Sequence, residues 1–266
     1  MGSALIGRYW PADSPVHALD PRTKLVGMVI AMVAIFLAGS FQALAVAALF
    51  VAAFYLAAHI PLTQAVRSVG PLLLIMLVAV VFNLFYVQGG AVFVDAGWLR
   101  ISEAGVQATL FLAARVLLLL LVAALPTMTT TTLDLTDALE YLTRPLARIG
   151  FPAHEFSMVL GIALRFLPQF AEEWRVTRAA QASRAGHFSL MSKSAGTQGI
   201  GSLIVPLFTS AFRHAETLSA GMDARCYHGG VGRTRLHPLA FGRVDAWAFA
   251  ALTAMVVSVI AANAVF

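Results

Sequence analysis

Residues Leu25–Ile60 read "LVGMVIAMVAIFLAGSFQALAVAALFVAAFYLAAHI", thirty-six positions without a charged side chain. A helix that crosses the hydrocarbon core of a bilayer needs about 20 mostly apolar residues. The stretch is therefore too long for one crossing. Gly39–Ser40, near its middle, is the natural hinge between two short spans joined by a tight turn, and Pro61 closes the second.

The rest of the chain fits that reading. Of 266 residues, 59% are hydrophobic and 12% charged, against about 45–50% apolar and 25% charged in soluble domains. So little charge cannot cover a water-facing surface, and lipid must cover part of it. Gly70–Val87 and Gly105–Met128 read as the third and fourth spans, and Asp245–Phe266 as the fifth. The first 24 residues are polar, broken by proline and without a signal-peptide apolar core, so the first apolar run is expected to remain as an anchor. With the N-terminus inside, sixteen of the eighteen basic residues fall on the inner side, and only Arg100 falls in an outer loop. The expected fold is an all-α membrane protein of about five spans. Its parts are an N-terminal segment (residues 1–24), spans one to four (25–128), a polar insertion (129–243) and the last span (244–266).

The insertion contains three helical patterns. In "TTLDLTDALEYLTRPLARIG", Leu135, Leu139, Leu142 and Leu146 recur at helical spacing, with Asp134 or Thr136 as the N-cap and Gly150 at the end. Two longer segments share one plan: an apolar first half interrupted by proline (Pro168, Pro206), then a charged second half. Such helices suit the membrane interface. The first ends at Ser183–Arg184–Ala185 and the second at Ala224–Arg225–Cys226. A cation at a helix C-terminus is favoured by the macrodipole alone. Two ends with the same layout point further. A small residue admits a close partner, and arginine offers a planar donor fork to a carboxylate or carbonyl. Gly229, Gly230 and Gly232 form a turn after the second motif, and Arg233 and Arg235 hold the next segment on the basic side.

These segments resemble the transmembrane T component (EcfT, CbiQ-like) of energy-coupling factor importers of vitamins and metals. The resemblance rests on five blocks: "GRYWPADSPVHALDPRTKL" (Gly7–Leu25), "LAARVLLLLL" in span four, "IALRFLPQF" (Ile162–Phe170), "AQASRAGHF" (Ala180–Phe188) and "GMDARCYHGGVGRTRL" (Gly221–Leu236). It implies two cytoplasmic coupling helices, each ending near an Ala-Arg-Gly motif that seats in an ABC-type ATPase. It also implies a membrane-embedded S component that binds the substrate. ATP and magnesium would sit on the ATPase partners, and this chain would bind no cofactor, no metal and no nucleic acid. A prokaryotic cell membrane with a cytoplasmic N-terminus fits the same resemblance. Ser183, Ala185 and Cys226 depart from the motif. Ser183 stands in place of the leading alanine, and the glycines that Ala185 and Cys226 replace are read as serving close approach, which small side chains also permit, rather than a positive φ.

Other constellations are weaker. Arg115 lies eleven residues into span four, where a charge must face protein or water. It belongs either to a transport path or to a structural tie with Asn83, Glu216 or helix-end carbonyls. Adjacent Glu172 and Glu173 point about 100° apart on a helix and read as a solvated face. Seven histidines form no HxxxH or HExxH pattern, and the single Cys226 makes no disulfide within the chain. Asp134 and Asp137 offer one DxxD pair to a membrane-embedded enzyme acting on lipid phosphates, without a second acidic pair. Five spans with one insertion do not divide into the repeats of a self-contained secondary transporter.

Overall fold

A computed structural model describes residues 10–87, 89, 92–95, 100–145, 150, 152–185, 198–229 and 240–265. The elements are α1 (Pro21–Leu37), α2 (Phe41–Ala57), α3 (Leu62–Tyr86), β1 (Val92–Asp95), β2 (Arg100–Ser102), α4 (Glu103–Thr129), α5 (Thr132–Thr143), α6 (Ala153–Ala185), α7 (Gln198–Asp223) and α8 (Arg243–Val265). Two compact units result, one of residues 1–141 with 237–266 and one of residues 142–236.

The first unit is a helix bundle. Within it α1 and α2 pack on α8 and α4, and α3 packs on α4. Among the described residues, three helices are long and apolar enough to cross a membrane: Thr63–Tyr86, Glu103–Thr129 and Arg243–Ala264. α2, at 17 residues, is a shorter apolar helix, and α1 is of the same length. Between them the chain turns at Gly39–Ser40, and the Ser40 hydroxyl caps α2 by accepting from Ala43 N. Small residues set the packing distance. α1 buries Gly27, Ala31 and Ala34, with its C-cap Ala38, at steps of four and three, and α2 buries Ala43 and Ala47, four apart. Without a hydrophobic drive between helices in lipid, such stripes let backbones approach and gain dispersion contacts. At Gly105 a Cβ would lie 2.7 Å from the Val87 carbonyl oxygen, so the close approach of α3 and α4 requires glycine.

The bundle is pinned at both ends by polar groups. At one end Asp20 caps α1, its Oδ1 accepting from Arg22 N, while its own N–H donates to Asp245 Oδ1. Asp245 Oδ2 accepts from Gly242 N at the start of α8. Lys24 Nζ donates to the His17 and Thr129 carbonyls, each at 3.0 Å, and the Arg22 guanidinium lies 3.6 Å from the centre of the Tyr141 ring. The block "DPRTK" thus joins the N-terminal segment, α1, α4, α5 and α8.

At the other end, side chains satisfy the α1–α2 turn. Asn263 of α8 accepts from Gly39 N (2.8 Å) and donates to Leu37 O (2.7 Å). Arg115 donates to the Ala38 carbonyl at the end of α1, and its guanidinium lies 4.5 Å from the centre of the Phe111 ring. Arg115 is therefore a structural tie to a helix-end carbonyl, while Asn83 accepts from Thr109 instead. Fourteen residues separate Lys24 from Ala38, and fourteen separate Thr129 from Arg115, about 21 Å of helix in each case. α4 continues for twelve more residues beyond Arg115, to Glu103.

Several expectations change. α3 starts at Leu62 rather than Gly70 and carries Pro71 inside it. β1 and β2 form an antiparallel ribbon that alternation in so short a loop did not reveal. α5 begins one turn earlier than expected. Thr131 rather than Asp134 or Thr136 is the capping side chain, since its hydroxyl accepts from Asp134 N and donates to Asp134 Oδ2. The helix stops at Thr143, before Pro145, because proline supplies no N–H and restricts the residue before it.

Candidate functional site

The second unit is built on α6 and α7, of 33 and 26 residues, each passing through its internal proline. The two helices run antiparallel. Tyr227, just beyond α7, donates its hydroxyl to Met158 Sδ near the start of α6 (2.7 Å). His214 meets Gln169 and Glu173 midway. Leu207 and Phe208 share an apolar depression of about 370 Å³ with Ala171 and Trp174. The C-termini of α6 and α7 therefore lie at opposite ends of the pair.

Those C-termini carry both sequence motifs. Ser183 is exposed and returns its hydroxyl to Ala179 O at 3.1 Å, and Arg184 and Ala185 are the last two residues of α6. Ala224, Arg225 and Cys226 come directly after α7 and are exposed. There the chain closes in a Schellman turn: Cys226 N donates to Asp223 O at 3.0 Å and Tyr227 N to Met222 O at 3.1 Å. That closure requires a left-handed residue at position 226, and Cys226 has φ +54°. This corrects the reading that only close approach mattered, since the position demands the conformation glycine adopts freely. Gly229, at φ +95°, makes the next reversal. Gly230 and Gly232, with Arg233 and Arg235, lie outside the described residues.

Arg225 borders an open depression of about 340 Å³ that also takes in Phe166, His214 and Met222. Its guanidinium is thus presented beside apolar surface at a helix C-terminus, where the macrodipole adds negative potential. On α6, Glu172 and Glu173 separate in role. Glu172 is exposed and receives two hydrogen bonds from Arg175, which hold its carboxyl below the ordinary range. Glu173 instead turns inward, against the expectation of a solvated face. Its Oε1 accepts from His214 Nε2 at 2.7 Å, and that bond, with a smaller one from Ser210, holds its carboxyl low against burial, which raises it. Phe166 stacks on the His214 ring at 5.8 Å, and Phe170 meets it edge-on at 6.1 Å. The signal was present in the sequence: Gln169 and Glu173 share a face with Phe166 and Phe170, a polar pair set in an apolar stripe. The Asp134 carboxylate is engaged in capping α5. Among the described residues no group of three or more His, Cys, Asp or Glu could hold a metal ion.

A family model described as CbiQ, cobalt transport protein, matches residues 12–237. An energy-coupling factor transporter transmembrane protein EcfT of Brevibacillus brevis is 38% identical over 89% of this chain and 89% of its own length. The proteins of that name from Acidaminococcus fermentans and Bacillus subtilis are 38% and 33% identical, each over about nine-tenths of both chains.

Proposed function

The chain belongs to the CbiQ cobalt transport protein family, and from that membership we propose that it is the transmembrane coupling subunit of an energy-coupling factor importer. α6 and α7 are its coupling helices. Arg184 and Arg225 each dock into one of two ABC-type ATPase subunits, with Ser183, Ala185, Ala224 and Cys226 as the small residues that admit the partner surface. The observation that carries this reading is the antiparallel crossing of α6 and α7. It sets two arginine-bearing ends apart in opposite directions, as two separate ATPases require. The bundle lies in the cell membrane of a prokaryote with its N-terminus and both arginine ends in the cytoplasm, where the excess of basic residues favours them. It carries an S component that binds a vitamin or a transition-metal ion. ATP and magnesium are held by the ATPases, so this subunit transmits motion and catalyses nothing.

Affinity purification from detergent tests the proposal. The wild-type chain is expected to bring down two ABC-type ATPases and a small membrane protein, and Arg184→Glu with Arg225→Glu to lose the ATPases. If both forms purify alone, or the double variant retains its ATPases, the arginines do not dock.

A further inference from the structure

At the end of the bundle where Lys24 lies, two hollows meet. One is an apolar cavity of about 60 Å³ between α1, α2, α4 and α8. The other is a polar pocket of about 240 Å³ between the N-terminal segment and the α4–α5 connection. Leu19 and Lys24 line both. Each hollow holds a polar group that the fold leaves unspent. Thr130 in the pocket and Thr23 in the cavity are 6% and 2% exposed, and neither hydroxyl has a partner among the described residues. Leaving a buried hydroxyl unpaired is costly. Lys24, also buried, gives two of its three ammonium protons to the His17 and Thr129 carbonyls. The neighbouring groups are taken. His17 is held between Ser14 Oγ and the Trp10 carbonyl, Thr129 donates to Leu125 O, and Tyr55 donates to Leu121 O. Asp134, exposed at the pocket, has Oδ2 on the Thr131 hydroxyl, and a carboxylate accepts further bonds.

The two hollows together have the form of a chain with a head. Thr23, Gly27 and Ala31 line the cavity at every fourth position of α1, so it follows the helix for about 12 Å. It takes about four to six water-sized groups, each near the size of a methylene. The pocket at its mouth presents one cation, Lys24, and one anion, Asp134. A phosphate alone would face the Asp134 charge as well as Lys24, and an amine alone would face Lys24 as well as Asp134. A head that carries both charges suits both. Basic pockets between membrane helices are established places for lipid heads. We propose that this end of the bundle is a phospholipid site for a phosphoethanolamine head. The phosphate accepts the third Lys24 proton and the Thr130 hydroxyl, and the primary ammonium donates to Asp134. The Thr23 hydroxyl meets an ester carbonyl, and the acyl chain beyond it enters the bundle along α1. The site belongs to the bundle alone and does not rest on the coupling role proposed above.

Native mass spectrometry of the full chain, released from nanodiscs of equal parts phosphatidylethanolamine and phosphatidylglycerol, tests the site. The wild type is expected to keep one phosphatidylethanolamine about tenfold in preference to phosphatidylglycerol, the scale of one hydrogen bond to a charged group. Thr130→Val removes a hydroxyl that bonds nothing in the fold, and retention should fall about tenfold. Asp134→Asn still accepts from Thr131 but loses its charge, so lipid should stay while the preference for the amine head disappears. Ala248→Leu fills the cavity from α8. It should expel both lipids without lowering the melting temperature, since filling a cavity usually stabilises. A wild type that carries the two lipids in their bulk proportion overturns the site. So does a folded Ala248→Leu variant that keeps its lipid, or a Thr130→Val variant that retains as much as the wild type. None of these measurements needs an ATPase, so the site stands or falls apart from the outcome of co-purification.

Discussion

Replacing Cys226 by glycine relaxes the backbone at the second arginine motif without removing a contact that the fold uses. Cys226 sits at φ +54°, and an L residue in that region costs about 1–2 kcal/mol. Glycine escapes this cost but loses about 0.5–1 kcal/mol more chain entropy on folding. The balance favours glycine by about 0.5–1 kcal/mol, which slows local opening of the turn about two- to fivefold. Two amides report on the turn directly, those of residue 226 and Tyr227, because they donate to Asp223 O and Met222 O. Hydrogen exchange on the chain in nanodiscs, monitored in peptides covering residues 222–228, is therefore expected to slow in Cys226→Gly. It should stay within a factor of about two in Cys226→Ala, which keeps the Cβ, and quicken in Cys226→Val, a β-branched residue for which φ > 0 is an outlier. Should the glycine variant exchange no more slowly than wild type while valine is tolerated, the left-handed closure is not what limits this turn.

Polar ties elsewhere in the chain respond in the same measurable way. Arg115→Leu removes the donor to Ala38 O, and Asn263→Leu uncaps Gly39 N and Leu37 O. Each is expected to lower stability in detergent by about 1–3 kcal/mol for every group left unpaired, and the double variant to depart from additivity because both serve one turn. Unchanged denaturation midpoints would refute this account of the turn. The Glu173 carboxyl is held below its ordinary 4.5, first by the bond from His214. Its contribution is complete above that ordinary value and is lost as pH falls through the lowered one. Stability of the chain in detergent is accordingly expected to hold steady from neutral pH to about pH 5 as far as this bond is concerned, and to fall in more acid solution. Glu173→Gln should be less stable already at neutral pH and lack that part of the acid loss.

The hinge at Gly39–Ser40 was legible because a thirty-six-residue apolar run exceeds one crossing, and the later apolar runs located α3, α4 and α8. The arginine ends were legible because two segments repeat one plan. Pairings between distant segments were not. Nothing in the spacing around Arg115 chooses the Ala38 carbonyl over Asn83, since that choice depends on the depth at which α1 ends against α4. Glu173 was misread for a similar reason. Periodicity separates it from Glu172 by about 100° but does not say which of the two meets α7. Cys226 shows the opposite case, in which local geometry overrode composition. A Schellman closure fixed the backbone, and the side chain had to accept it.

The α1–α2 turn ends level with Arg115, twelve residues short of the start of α4. α8 ends at the same depth, where Asn263 reaches the turn. On that flank the helices offer about 27 Å between Asp20 and Ala38, whereas the 27 residues of α4 rise about 40 Å. The bilayer therefore meets two heights on one protein. Acyl chains against Phe36, Leu37 and Phe41, all exposed at the shorter rim, must shorten or tilt, while those against α3 and α4 stand at full length. The membrane around this bundle is expected to be graded in thickness, so that a neighbour of modest hydrophobic length would settle with least mismatch on its short side.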